Sequence, residues 1–226
     1  MGYLIIVGIF SLIGMVVSNR LKSKFAKYAN VPMSNGRSGA EVAEAMLQHY
    51  GISDVRITQG QGMLTDHYNP ATRTVTLSPE VYHGRHIAAA AVAAHECGHA
   101  VQHNQAYTWL QMRSAMVPVV SVAAQAQQYL LMFALGAFGV TGGTWLLYLT
   151  AAAFAITTLF SLVTLPVEFD ASNRALAWLE SSHYTRGHEH EGAKDALWWA
   201  AMTYVVAALS SLVVLIYLVL SMASRD

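Results

Sequence analysis

The sequence predicts a membrane protein, mainly α-helical, with four transmembrane helices and a small α+β domain on the cytoplasmic side. Three observations lead there. Of 226 residues, 54% are apolar and 12% charged, about half the charge of an ordinary globular chain. The deficit is uneven, since 1–19, 114–167 and 196–224 contain no Asp, Glu, Lys or Arg. Twelve of the thirteen cations lie in the two segments between those stretches.

The first apolar stretch, "YLIIVGIFSLIGMVVS", is just long enough for one span. A secretory signal would carry its charge before the apolar run and small residues at a cleavage point after it. Here the basic cluster Arg20, Lys22, Lys24 and Lys27 comes afterwards, so the segment reads as a retained anchor. The second stretch would extend about 80 Å as straight helix, against a hydrocarbon core of about 30 Å. It must turn back, and Gly136, Gly139, Gly142 and Gly143 mark the expected hairpin. The third supplies one more crossing. Spans are expected near 3–18, 116–137, 144–165 and 198–220.

This divides the chain into a helix at 1–18, a soluble portion at 19–115, a membrane hairpin at 116–165, a soluble helix at 166–196, and a last span with a short tail at 197–226. Four crossings put both soluble segments on one side. Nine cations in 19–115 and three in 166–196 make that side the cytoplasm by the positive-inside rule. A multi-pass protein of the plasma or bacterial inner membrane follows. The single cysteine, Cys97, excludes an internal disulfide and suits a reducing compartment. Zero net charge gives no reason to expect a nucleic-acid partner. The basic cluster at 20–27 suits anionic lipid headgroups instead.

The soluble portion mixes helix and strand. Ser38 followed by Glu41 forms a capping-box pattern and Gly51 a stop, predicting a helix over 39–50. "VRIT" (55–58) and "TVTLS" (74–78) are β-like, separated by Gly60, Gly62 and the turn "YNPAT" (68–72). Ser78-Pro79-Glu80 reads as a helix start with a break near Gly84. An alanine-rich helix then runs from about Arg85 to Gln105, containing "AAHECGHAVQH" (93–103).

On that helix His95 and His99 stand at i and i+4, one above the other, and can present two imidazole nitrogens about 2 Å from one cation. Glu96 stands one step round, beside such a cation. Zinc lowers the pKa of its bound water from about 15.7 to about 7, and a neighbouring carboxylate can take the proton. This is the H-E-x-x-H arrangement of zinc peptidases. His103 cannot complete the site, because eight residues of helix separate it from His95 by about 12 Å. Zincins that draw a third histidine from the same segment need Gly and His where this chain has Gln102 and Gln105. A carboxylate from elsewhere is required. Glu168, in "PVEFDASNRALAWLE" (166–180) just after the third span, is the candidate. A carboxylate at a membrane boundary is costly without a partner, and a zinc ion is one. The competing reading is a first-turn glutamate favoured by the helix dipole.

"LTDHYNPATRTVTLS" (64–78), "AVAAHECGHAVQH" (91–103) and "LPVEFDASNRAL" (165–176), in that order among these spans, resemble the YugP-like neutral zinc metallopeptidases of bacterial membranes. The resemblance covers most of the chain. It implies a zincin-like, membrane-embedded zinc endopeptidase binding one zinc ion through His95, His99 and Glu168, with Glu96 as general base. "EFDAS" more distantly resembles the E-x-x-A-D of HtpX-type membrane proteases, in which Asp stands at the position of Ser172. Ser172 lies at i+4 from Glu168 and can still orient a ligand, while Asp170 is placed to pair with Arg174.

Other residues admit two readings. "TVTLS" sits where zincins keep the strand that aligns a peptide, so it binds substrate if its edge is free and not if it is covered. Asp66, His67 and Tyr68 either stabilise an oxyanion or build a turn capped by Asp66, and Tyr184 or Tyr204 are weaker oxyanion candidates. His183, His188 and His190 suggest a second metal or a solvated loop. Gln125, Gln127 and Gln128 should face the bundle or an aqueous groove rather than lipid. The expected activity is hydrolysis of protein or peptide substrates at the cytoplasmic face. The alternatives are a non-catalytic scaffold with a structural metal, or cleavage within the bilayer as in site-two-type proteases. The latter pair their histidines with a later Asp-Gly, which does not occur here.

Overall fold

The computed structural model describes residues 2–137 and 144–223. The hairpin expected at Gly139, Gly142 and Gly143 lies outside the described residues. The chain is mainly helical, in the order α1 (Gly2–Ala29), α2 (Gly39–His49), β1 (Arg56–Gln59), β2 (His67–Asn69), β3 (Thr74–Leu77), α3 (Pro79–His83), α4 (Ile87–Asn104), α5 (Thr108–Ala137), α6 (Thr144–Ser181) and α7 (His188–Ala223). Two compact units form. One gathers Met1–Val16, Gln111–Leu165 and Thr203–Asp226, the other Val17–Leu110 and Pro166–Met202.

The first unit is apolar on its outside. Val122, Trp145 and Leu220 are each more than 60% exposed, which water would penalise and lipid would not. Its core is small, with Leu147, Ala151, Phe154, Val214 and Leu218 packed together. Among the described residues, three helices are long and apolar enough to cross a membrane: Gly2–Ala29, Trp145–Ser181 and His188–Ala223. α5, which carries the expected second span, is a 30-residue helix with Pro118 inside it and is not among those three. Gly136, expected in the hairpin, falls within its last turn.

The second unit has a conventional core. α2 begins as its capping box dictates. The Ser38 amide donates to the Glu41 carboxylate at 2.8 Å, and the Glu41 amide donates to the Ser38 hydroxyl at 3.3 Å. Val42, Ala43, Met46 and Leu47 are buried on one face, and Gly51 takes the left-handed φ of 67° that ends the helix. The sheet contains a third strand that the sequence pattern does not announce. Its order is β1-β3-β2, with β1 parallel to β3 (Arg56↔Thr74) and β2 antiparallel (His67↔Thr76). β3 is therefore central, covered on both edges. It cannot add a substrate strand, which settles the two readings of "TVTLS". Asn69 turns the β2–β3 hairpin by accepting from the amides of Ala71 and Thr72.

α4 is built almost wholly of small residues, and all seven alanines at 88–91, 93, 94 and 100 are buried. Its backbone can thus approach neighbours closely. The Cys97 thiol donates to the Ala43 carbonyl of α2 at 3.6 Å. α6 corrects the expected helix start at Pro166, because it passes through Pro166 without ending. Glu168 therefore stands deep within a 38-residue helix, and the first-turn reading of that residue fails. α7 likewise starts earlier than expected, at His188.

Candidate metal centre

α4 places His95 and His99 one turn apart, with ring centroids 4.8 Å from each other. Residues 166–181 of α6 bring Glu168 opposite them. One carboxylate oxygen lies 3.4 Å from His95 Nε2 and 3.7 Å from His99 Nε2. These gaps exceed ordinary N–H···O distances of about 2.7–3.2 Å. They match ligands sharing an ion, since tetrahedral bonds of about 2.1 Å separate neighbouring donors by about 3.4 Å. All three donor atoms fall within 4.8 Å of one another, the sole such group among the described residues. The environment is dry, with Glu168 3% exposed and His99 8%. Two imidazole nitrogens and one carboxylate oxygen form a set that zinc accepts, and three protein donors leave one position for water. The residues fit the metal that the sequence implies.

Each donor is held from behind. The Ser172 hydroxyl lies 3.1 Å from His95 Nδ1, where its i+4 relation to Glu168 predicts a contact with a ligand. His99 Nδ1 lies 3.0 Å from the side-chain oxygen of Gln102. Burial disfavours a charge on His99, but the Glu168 and Glu96 carboxylates and the Gln102 bond outweigh it. Its proton affinity is raised above that of an ordinary imidazole. Glu96 is buried and makes no side-chain hydrogen bond among the described residues. Burial and the adjacent Glu96 push the Cys97 thiol well above its usual range, so it is inert packing.

A family model described as "Putative neutral zinc metallopeptidase" matches residues 3–223. The chain belongs to that family. The "Putative membrane protease YugP" of Bacillus subtilis (strain 168) is 42% identical over 208 residues, which cover 92% of this chain and 91% of that protein. No solved structure matches the chain. In this family member the remaining candidates have hydrogen-bond partners other than the three donors. Asp66 accepts from the amide and hydroxyl of Ser78 at 2.7 and 3.1 Å, a turn-capping role. His67 Nδ1 lies 2.8 Å from the Thr65 carbonyl. His103 pairs with the Tyr68 hydroxyl at 2.7 Å. Of the 183–190 histidines, His183 lies in the loop after α6, whereas His188 and His190 open α7.

Two residues of the centre have roles that the sequence pattern does not announce. Gln102 enters it only as the wrong residue for a glycine, although its i+3 spacing from His99 puts both on one helix face. Gly98 is the other. A Cβ built there would lie 2.5 Å from the Ala171 carbonyl oxygen, so no other residue permits this approach of α4 to α6 unchanged. No local signal distinguishes such a glycine from one that is merely tolerated.

Proposed function

We propose that this metallopeptidase family member is a membrane-embedded zinc endopeptidase, hydrolysing peptide bonds of protein substrates at the cytoplasmic face. One observation carries the reading: two imidazoles at i, i+4 and a carboxylate from a distant helix converge at ion-sharing distances, with Glu96 adjacent. His95, His99 and Glu168 would hold one zinc ion. Zinc bound there supplies a Lewis acid that acidifies water and polarises a carbonyl. Glu96 takes the proton of the attacking water and returns it to the departing amine nitrogen. Its side chain is free of other hydrogen bonds among the described residues, which suits a proton carrier. The surrounding burial excludes bulk water and strengthens each electrostatic contact.

The topology belongs to the same proposal. α5 would act as a fourth crossing beside the three long apolar helices, with both soluble segments in the cytoplasm. The distribution of Lys and Arg supports it. The bilayer and a protein or peptide substrate are the partners this arrangement requires.

The test is Glu96→Gln. It is expected to keep the zinc content of the wild type and to lose cleavage of an unfolded substrate such as casein. Cleavage at the wild-type rate would remove Glu96 from the mechanism. A metal held without any measurable hydrolysis in the wild type would favour a structural site.

A further inference from the structure

Gln102 is fully buried, at 0% exposure, and its amide is engaged on both sides. The nitrogen donates to the Val167 carbonyl at 2.8 Å and to an Asp170 carboxylate oxygen at 2.8 Å. The oxygen lies 3.0 Å from His99 Nδ1. The opposite amide orientation would set an acceptor against two acceptors, so the orientation is fixed chemically. An amide oxygen can only accept. His99 Nδ1 must then carry a hydrogen, so that whenever the ring is neutral its lone pair falls on Nε2, the nitrogen that faces Glu168. The Ser172 hydroxyl on His95 gives no such constraint, because it can donate or accept.

We infer that Gln102 is the positioning residue of the centre, locking His99 in the Nδ1–H form whose Nε2 can bind a cation, and that Asp170 in turn locks Gln102. The same amide grips the carbonyl of Val167, the residue preceding Glu168. One side chain thereby fixes a ligand on α4 and the backbone beside a ligand on α6. Asp170 is anchored by Arg174 Nε at 2.5 Å. Arg174 reaches the Gln105 side-chain oxygen at 2.5 Å and lies over the Tyr107 ring at 5.5 Å. The relay thus runs from a surface-reaching arginine through a carboxylate and an amide to the imidazole. Such outer partners typically change metal affinity by about 10–100-fold when removed.

The inference rests on the zinc reading, and the experiment separates the two. Zinc affinity is measured by chelator competition on the full-length protein in detergent, for wild type, Gln102→Met and Asp170→Ala. Selective ¹⁵N-histidine spectra of the metal-free proteins, recorded at a pH high enough for the ring to be neutral, report the tautomer. Gln102→Met keeps length and bulk, and is expected to weaken zinc about 10–100-fold and to replace a single Nδ1–H signal for His99 with a mixture. Asp170→Ala, partly exposed and more tolerant, is expected to shift both readouts in the same direction by less. It keeps the test decisive if Gln102→Met does not fold. Wild-type affinity and a single tautomer in the folded variants would overturn the role of Gln102. A wild-type protein that binds no zinc would overturn the metal reading instead, while the tautomer signal still reports on Gln102.

Discussion

Gly98 and Ala171 lie in van der Waals collision range of anything larger than a hydrogen: a Cβ on Gly98 would sit 2.5 Å from the Ala171 carbonyl oxygen and 3.2 Å from its Cα. The obstacle is backbone, which cannot rotate away. Gly98 lies between His95 and His99, and Ala171 is three residues beyond Glu168, so this contact sets the spacing between the two halves of the donor set.

Gly98→Ala is therefore expected to open the centre. In an isolated helix the change would stabilise by up to about 1 kcal/mol. Overpacking against rigid backbone costs about 1–3 kcal/mol, so the net effect is a loss. Helix separation also lengthens the Glu168–imidazole distances. The expected outcome is a lower melting temperature with zinc affinity reduced by about tenfold or more, measured by thermal unfolding in detergent and chelator competition. Gly98→Ala with unchanged affinity would show that the helix pair can reclose.

Removing Glu168 tests the third donor directly. Glu168→Ala should weaken zinc by more than the roughly 10–100-fold typical of outer partners. Added zinc should raise the melting temperature of the wild type, by an amount equivalent to about 2.7 kcal/mol at a hundredfold excess over the dissociation constant. The same addition should leave Glu168→Ala nearly unmoved. An equal zinc-induced shift in both proteins would place the third ligand elsewhere.

How much of this was legible depends on the range of the interactions. The 95–99 pair and the Ser38–Glu41 box are read within one turn, and both form as the spacing dictates. Glu168 was findable because a carboxylate at the end of an apolar run needs a partner. The path of its helix was not. Pro166 ordinarily starts a helix, and inside one it costs about 3 kcal/mol or more. Here Val167, Ala171, Ala175 and Leu179, spaced four apart, are all fully buried, and that packing carries α6 through the proline. β2 was missed for the opposite reason. Its three residues, His67, Tyr68 and Asn69, show no apolar alternation and gain their strand character from pairing with β3.

Glu41 gives the second unit an acid-sensitive joint. Its carboxylate accepts from the Ser38 amide, from Arg85 at 2.9 Å and from Arg37 at 3.2 Å. The Ser38 amide bond is the largest influence on its pKa; burial opposes it, and Arg85, the Ser38 hydroxyl and Arg37 add lesser lowering contributions that leave it below the usual value. A carboxyl group whose folded pKa is depressed contributes stability that is complete above the unfolded value and disappears as pH falls through the folded one. The wild type is thus expected to lose stability below about pH 4.5, and Glu41→Ala to start lower and lose less over the same interval. Melting curves of both proteins between pH 7 and pH 3.5 provide the comparison. Parallel losses would assign the acid sensitivity to other carboxylates.

Ser172 distinguishes orientation of His95 from bulk packing. The residue is 7% exposed and its hydroxyl lies 3.1 Å from His95 Nδ1, and for Nε2 to bind a cation the hydroxyl must act as acceptor there. Ser172→Ala removes that acceptor with almost no change in volume, so a packing role predicts no effect on the metal. An orienting role predicts weaker zinc by about tenfold, the lower end for outer partners, with the melting temperature of the metal-free protein nearly unchanged. Ser172→Thr keeps the hydroxyl and should restore most of the affinity wherever its extra methyl is accommodated. Affinity that follows the hydroxyl rather than side-chain size would identify His95 as a ligand whose ring must be steered. Equal affinity in wild type and Ser172→Ala would leave the orientation of His95 to the helix alone.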